Sequence, residues 1–153
     1  MGKATIPPAK KCSPNVVLVV DDSALATRTL ARSLRDKTIS VVQAQNGHEA
    51  LAYLESGNVD VIVSDARMPE LDGVTLLRIV SKRWPHIARV LYTGYIESYV
   101  DADADTMSFI DGIFSKGGQE REAVESVRLL AHKQGAFLGV SDAGARYGLG
   151  GPG

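Results

Sequence analysis

Three aspartates stand directly after two apolar stretches of this sequence. Asp21 and Asp22 follow residues 16–20, and Asp65 follows the run that ends at residue 64. Short apolar runs rich in Val and Ile predict buried strands. Open α/β sheets place their chemistry at the carboxyl ends of parallel strands. Each Asp taken alone is most simply a loop residue, but together they predict a cluster of carboxylates.

Carboxylates brought together repel one another, and burial strengthens the repulsion. A cation must offset it. A site with only oxygen ligands favours a hard divalent ion, and Mg²⁺ bound by one or two carboxylates, water and phosphate oxygens fits best. The hydroxyl of Thr93 and the ammonium of Lys116 also follow apolar runs. The set predicts phosphoryl transfer onto Asp65, with the carboxylate as nucleophile and the cations stabilising the phosphoryl oxygens.

Five strand patterns alternate with amphipathic helix patterns along the chain. The strands are predicted at residues 16–20, 39–44, 60–64, 88–92 and 112–115. Ser23 is expected to cap the first helix, and the fourth helix is expected to be short because its Asp-Ala alternation disfavours helix. The alternation predicts an α/β fold with a doubly wound five-stranded parallel sheet in the order 2-1-3-4-5. That order brings the polar residues named above to one edge of the sheet.

Composition places the chain among ordinary globular proteins. It has 153 residues, 44% of them hydrophobic, and a net charge of -1, which gives no electrostatic footprint for nucleic acid. The apolar run at residues 16–20 is too short for a membrane span, and Cys12 is the single cysteine. We therefore expect a cytoplasmic protein. Residues 1–14 are expected to form a disordered basic arm, residues 15–134 one domain, and residues 135–153 a flexible Gly-rich tail.

These motifs resemble the receiver domain of bacterial response regulators, the phosphoacceptor module of two-component systems. The resemblance covers residues 16–133, and the chemotaxis regulator has the same receiver fold. It rests on Asp21-Asp22-Ser23, Asp65 with Met68-Pro69, Asp72-Gly73, Thr93-Gly94 and Lys116. It implies a flavodoxin-like (βα)5 fold and a role in a phosphorelay.

The resemblance also implies a metal site. Asp22 and Asp65 would ligate Mg²⁺ directly, Asp21 would support it through water, and the backbone carbonyl of Arg67 would be a further ligand.

The same resemblance assigns roles in phosphoryl transfer. Asp65 would accept a phosphoryl group from the phosphohistidine of a histidine kinase or phosphotransfer protein, Thr93 would hydrogen-bond it, and Lys116 would ion-pair with it. Arg67 and Tyr95, two residues beyond Asp65 and Thr93, are expected to flank the approach of water and lengthen the lifetime of the phosphoryl group. Phosphorylation and autodephosphorylation of Asp are the only reactions expected, so the protein is not predicted to be an enzyme.

Three features depart from the family. Gly117 stands where Pro is usual, which predicts a looser loop, and Ile113 occupies the switch position where Tyr or Phe is usual. The segment 97–111 is unusually acidic. Because Ile is stiff at χ1 and has no ring, signalling is expected to act through Thr93 pulling its loop and reshaping that segment. Thr93→Ala is expected to uncouple partner binding while leaving Asp65 phosphorylatable.

Several alternatives remain open at this point. The leading expectation is a stand-alone receiver that acts on an unknown output protein, with no direct nucleic-acid or membrane partner. A homodimer through the face from the fourth to the fifth helix is a further expectation. A receiver fragment of a larger regulator is the alternative, because residues 83–95 resemble receivers that precede cyclic-dinucleotide phosphodiesterase domains. A haloacid-dehalogenase-like phosphatase would need a second Asp two residues after its nucleophile, and an FMN protein would need an uncharged phosphate loop.

Overall fold

A computed structural model describes residues 14–99 and 104–136. It contains a five-stranded parallel sheet in the order β2-β1-β3-β4-β5, which confirms the predicted fold. The strands are β1 (Asn15–Val20), β2 (Ile39–Ala44), β3 (Val61–Ser64), β4 (Ala88–Thr93) and β5 (Gly112–Ser115). β2 and β5 have the predicted bounds, and the other three differ from prediction by one residue at one end.

Helices follow each of the five strands. They are α1 (Ala24–Leu34), α2 (Gly47–Ser56), α3 (Gly73–Arg83), a 3-10 helix (Ile96–Ser98), α4 (Ala104–Ser108) and α5 (Glu120–Ala136). Ser23 caps α1 as predicted, since its side chain accepts a hydrogen bond from the Ala26 N–H at 3.2 Å. Asp72 caps α3 in the same way, accepting from the Thr75 N–H at 2.8 Å.

The two faces of the sheet bury separate apolar clusters, because side chains alternate along each strand. One cluster packs the sheet against α2 and α3 and includes Leu18, Ile62, Leu76, Leu77 and Leu91. The other packs it against α1 and α5 and includes Val17, Val63, Leu30, Leu34 and Val127. Strands buried on both faces are typical of parallel sheets. This packing fixes the strand ends that carry the polar residues.

Within the described part of the chain α4 has five residues, in agreement with the expectation of a short helix. A helix of this length is unstable alone, and Arg78 of α3 holds it. The Arg78 guanidinium ion-pairs with Asp105 at 2.8 Å and lies 4.7 Å from the centre of the Phe109 ring. Asp111 accepts a hydrogen bond from the Arg89 N–H. At least two acids of the segment 97–111 therefore serve local structure.

Residues 1–13 of the arm and residues 137–153 of the tail lie outside the described part of the chain. α5 continues through residues 135 and 136, which the sequence assigned to the tail. Among the residues that the structure describes, no helix is long and apolar enough to cross a membrane.

Candidate functional site

The carboxyl ends of β1 and β3 bring three carboxylates together. Val20 pairs with Ser64 in register, and the Asp65 N–H donates to the Val20 carbonyl at 2.9 Å, so the chain leaves both strands side by side. Asp21, Asp22 and Asp65 each offer an oxygen within 4.8 Å of the other two. Asp21 is 5% exposed and Asp65 8%, whereas Asp22 is exposed. The predicted cluster of carboxylates exists.

Backbone donors orient the two buried carboxylates. The Ser23 N–H donates to Asp21 Oδ1 at 2.9 Å, and the Ala66 N–H donates to Asp65 Oδ1 at 2.8 Å. Hydrogen bonds to a charged oxygen are stronger than neutral ones and fix its direction. The carboxylates are therefore held in place before any ligand arrives.

Lys116 brings a positive charge from the end of β5. Its Nζ lies 2.5 Å from Asp21 Oδ2 and 3.6 Å from Asp65 Oδ1. The ammonium offsets part of the repulsion between the two carboxylates, and it is closer to Asp21 than to the residue predicted to accept the phosphoryl group.

The loop that carries Lys116 is well held despite its glycines. The Ser115 N–H donates to Gln119 Oε1 at 2.8 Å, and the Gln119 N–H donates back to the Ser115 carbonyl at 3.0 Å. The Gly117 N–H donates to Ser115 Oγ at 3.1 Å. These three hydrogen bonds hold the loop in the absence of a proline. The expectation that the loop is looser than in other family members stays a prediction.

Thr93 lies at the end of β4 with no exposed surface. Its Oγ1 accepts a hydrogen bond from the Tyr95 N–H at 3.0 Å, and its carbonyl accepts one from the Lys116 N–H at 2.9 Å. The hydroxyl still has its own proton to donate. Thr93 thus accepts hydrogen bonds from the backbone N–H groups of both Tyr95 and Lys116.

Gly73 allows the loop after Asp65 to pack closely. A Cβ at this position would lie 1.8 Å from the Asp65 carbonyl oxygen and 2.8 Å from its carbonyl carbon. The Gly73 N–H donates to the Ala66 carbonyl at 2.8 Å. The sequence motif contained this glycine, but no pattern in the sequence revealed that it touches the backbone of Asp65.

A cavity of about 310 Å³ lies beside Asp65, between α1 and α5. Its lining includes Leu25, Thr29, Tyr92 and Glu120. Burial and the nearby charge of Glu120 raise the pKa of the Tyr92 hydroxyl. Sequence reasoning missed this cavity, because its walls come from segments far apart in the chain.

The comparison with protein families decides the identity. Residues 17–128 match the family model of the response regulator receiver domain. The chain belongs to this family. The receiver is 32% identical over 115 residues to the DNA-binding transcriptional regulator NtrC of Salmonella typhimurium, covering 75% of this chain and 24% of NtrC. It is 41% identical over 87 residues to the sensor kinase CckA of Brucella abortus, covering 56% of this chain and 9% of CckA.

Solved structures agree with the family. The receiver resembles the response regulator TrrA of Thermotoga maritima, solved in complex with Mg²⁺ and BeF, with a TM-score of 0.68, 28% identity, and coverage of 76% of this chain and 98% of TrrA. It also resembles the signal receiver domain of an HD domain-containing protein of Pseudomonas fluorescens, with a TM-score of 0.67, 26% identity, and coverage of 80% and 98%. The chain spans at most about a quarter of the length of NtrC and CckA.

The three carboxylates of the receiver fit a magnesium ion. They supply oxygen ligands only, two of them buried, which is the ligand chemistry that Mg²⁺ prefers. The place of the Arg67 carbonyl in this ligand set remains a prediction.

Ionisation of Asp65 is unfavourable in the receiver. Burial raises the pKa of its carboxyl above the ordinary value, Lys116 opposes this rise, and the charges of Asp21 and Asp22 add to it. A carboxyl whose pKa is raised on folding contributes stability below its unfolded pKa and loses it as the pH rises through the folded pKa. As the pH rises towards neutrality, this carboxyl therefore contributes progressively less stability to the fold.

We accordingly expect Asp65→Asn to raise the free energy of unfolding at pH 7 without Mg²⁺. The gain should shrink as the pH falls below the raised pKa, because wild-type Asp65 is then protonated. Urea unfolding between pH 4 and 7 measures it. Saturating Mg²⁺ should reduce the gain, since the bound cation then offsets the charge of Asp65 and stabilises the folded wild type. A variant less stable than wild type at pH 7 would contradict the electrostatic account.

We expect Lys116 and a divalent cation to compete for Asp21. Lys116→Met should bind Mg²⁺ about tenfold more tightly, because a positive charge has been removed from within hydrogen-bond distance of a carboxylate of the expected metal site. Calorimetric titration measures the affinity. Lys82→Met, an exposed lysine on α3, is the control and should bind as wild type does. Weaker binding by the Lys116 variant would show that the ammonium organises the carboxylates rather than competing for them.

The two predicted tuning residues are in contact. The Arg67 guanidinium lies 4.0 Å from the centre of the Tyr95 ring, and both side chains are exposed. Ile113, at the predicted switch position, is partly buried and packs against the cluster under α2 and α3. The structure therefore brings the tuning pair together and gives Ile113 a packing role. The switch function of Ile113 stays a prediction.

Proposed function

We propose that this receiver accepts a phosphoryl group on Asp65 from the phosphohistidine of a histidine kinase or phosphotransfer protein, and then signals through a protein partner. The carrying observation is the group of three carboxylates with Lys116 between Asp21 and Asp65. The carboxylates can bind a divalent cation, and the Lys116 ammonium together with that cation can bind the dianionic phosphoryl group.

The chemistry follows from the positions of these groups. A carboxylate oxygen of Asp65 attacks the phosphorus atom, the P–N bond breaks, and the imidazole nitrogen leaves with the bonding electrons. Lys116 is within reach of both the acceptor and Asp21, so it can exchange Asp21 for a phosphoryl oxygen. Thr93 can donate its hydroxyl proton to another phosphoryl oxygen. When bound by Asp22 and Asp65, with Asp21 in support, Mg²⁺ supplies charge neutralisation for the transferred group.

The two rival functions fit less well. A haloacid-dehalogenase-like phosphatase would need an Asp two residues after its nucleophile on the first strand, and the stretch Asp21-Asp22-Ser23-Ala24 does not supply one. An FMN protein would need an uncharged phosphate loop, whereas the loop after β1 carries two carboxylates that repel phosphate. Within this proposal the protein catalyses only its own phosphorylation and dephosphorylation.

The output is proposed at the level of a partner class. Receivers in longer relatives form part of transcriptional regulators and sensor kinases, so the phosphorylated receiver controls either an attached module or a separate protein in the cytoplasm. The specific candidate for an attached module is a cyclic-dinucleotide phosphodiesterase domain. The specific candidate for a separate partner is a second copy of the receiver, bound through the face from α4 to α5. Sedimentation with and without beryllofluoride tests the homodimer.

The proposal is tested by phosphotransfer profiling. The receiver is mixed with each radiolabelled histidine kinase and phosphotransfer protein of its source organism, and the rate of label transfer is measured. One or a few donors should transfer label much faster than the others, and only with Mg²⁺. Absence of label on the receiver from every donor and from acetyl phosphate would refute the function.

A further inference from the structure

A three-residue bridge joins the loop that begins at Asp65 to the turn that follows Thr93. Arg67 lies in the first loop, with its guanidinium over the Tyr95 ring at 4.0 Å. Its Nη2 also donates a hydrogen bond to Ser98 Oγ at 3.2 Å, in the 3-10 helix. Since β3 and β4 are neighbours in the sheet, the bridge spans two adjacent strand ends at the acidic edge, by which we mean the carboxyl ends of the strands, where Asp21, Asp22 and Asp65 lie.

The far side of the bridge is firmly connected to Thr93. The Tyr95 N–H donates to Thr93 Oγ1 at 3.0 Å, and the Ser98 N–H donates to the Tyr95 carbonyl at 2.9 Å. Tyr95 and Ser98 therefore form one locally bonded unit that starts at the buried hydroxyl. On the near side, a single residue separates Arg67 from Asp65.

The contact with Tyr95 is too weak to hold Arg67 by itself. An exposed cation–π contact contributes less free energy than the rotamer entropy that is lost when an arginine side chain is ordered. The hydrogen bond from a charged donor to Ser98 supplies a second, directional contact. Two contacts on different atoms fix the plane of the guanidinium over the ring.

We propose that Ser98 is a positioning residue that sets the lifetime of the phosphoryl group by holding Arg67 on Tyr95. The inference rests on the proposed function. In hydrolysis a water oxygen attacks phosphorus, the bond from phosphorus to the Asp65 oxygen breaks, and the carboxylate leaves with the bonding electrons. One water proton passes to solvent, the other stays on the transferred group, and hydrogen phosphate is released. Arg67 and Tyr95, held together, restrict the path of that water, and Ser98 keeps them together without touching the reacting atoms.

The test compares decay of the phosphorylated protein at saturating Mg²⁺. Ser98→Ala should lose its phosphoryl group about three- to fivefold faster than wild type, the effect expected for one lost hydrogen bond of about 1 kcal/mol. Ser98→Thr keeps a hydroxyl and should stay within about twofold of wild type. Ser108→Ala is the matched control, because Ser108 is exposed and bonds only locally to the Asp105 carbonyl among the described contacts. It should decay as wild type does.

A double-mutant cycle separates positioning from general loosening. Arg67→Ala should speed decay by itself, and adding Ser98→Ala to it should change nothing further. Equal decay of Ser98→Ala and wild type would overturn the inference, as would a full Ser98→Ala effect in the Arg67→Ala background. These outcomes differ from failure of the proposed function, in which wild type would acquire no phosphoryl group at all.

Discussion

Asp65→Asn should abolish acquisition of the phosphoryl group. The amide has nearly the shape of the carboxylate but is a far weaker nucleophile, so the local fold should persist while the reaction fails. With acetyl phosphate and Mg²⁺, wild type should gain the mass of one phosphoryl group, and the variant should gain none within the detection limit of intact-mass spectrometry. Asp65 is the expected acceptor because its buried carboxylate lies beside both Lys116 and Asp21.

The control for this experiment is an acid outside the cluster. Asp105→Asn removes a carboxylate from α4 that pairs with Arg78, and it should be labelled as fully as wild type. Asp22→Asn keeps the acceptor and should be labelled more slowly, since it loses an expected metal ligand. Equal labelling of the Asp65 variant and wild type would place the acceptor elsewhere.

Gly73→Ala should damage both the stability and the reactivity of the receiver. The added Cβ would lie 1.8 Å from the Asp65 carbonyl oxygen, and backbone atoms cannot yield as a flexible side chain can. Overpacking of this kind costs roughly 1–3 kcal/mol. Either α3 or the peptide of Asp65 must shift, so phosphorylation should also slow by about tenfold or more. Urea unfolding and the rate of labelling by acetyl phosphate measure the two effects.

Gly118→Ala is the matched control, because a Cβ there meets no atom within 4 Å. It should retain the stability and labelling rate of wild type. If Gly73→Ala matched wild type in both measurements, the close packing of α3 on the Asp65 backbone would be wrong. A loss of stability in both glycine variants would instead indicate a general cost of alanine in these loops.

The sequence alone was sufficient for the architecture of this receiver. Its apolar runs are short, nearly continuous and separated by helical periodicity, which leaves a two-sided parallel sheet as the natural arrangement. Strand order then followed from the handedness of crossovers, and the convergence of Asp21, Asp22 and Asp65 followed from strand order. The structure confirms these features. They could be predicted because they depend only on local pattern and a few topological rules.

Contacts between distant segments required the tertiary structure. Ser98 reaches Arg67 across 31 positions, and Lys116 reaches Asp21 across 95. Neither partnership leaves a periodic trace, because an exposed serine or a loop lysine has no spacing that marks its partner. The contact of Gly73 with the Asp65 carbonyl is likewise a matter of tenths of an ångström in packing. The sequence by itself determined which groups stand at the acidic edge, and the tertiary structure decided which atoms they touch, because side-chain contacts depend on the relative placement of packed elements.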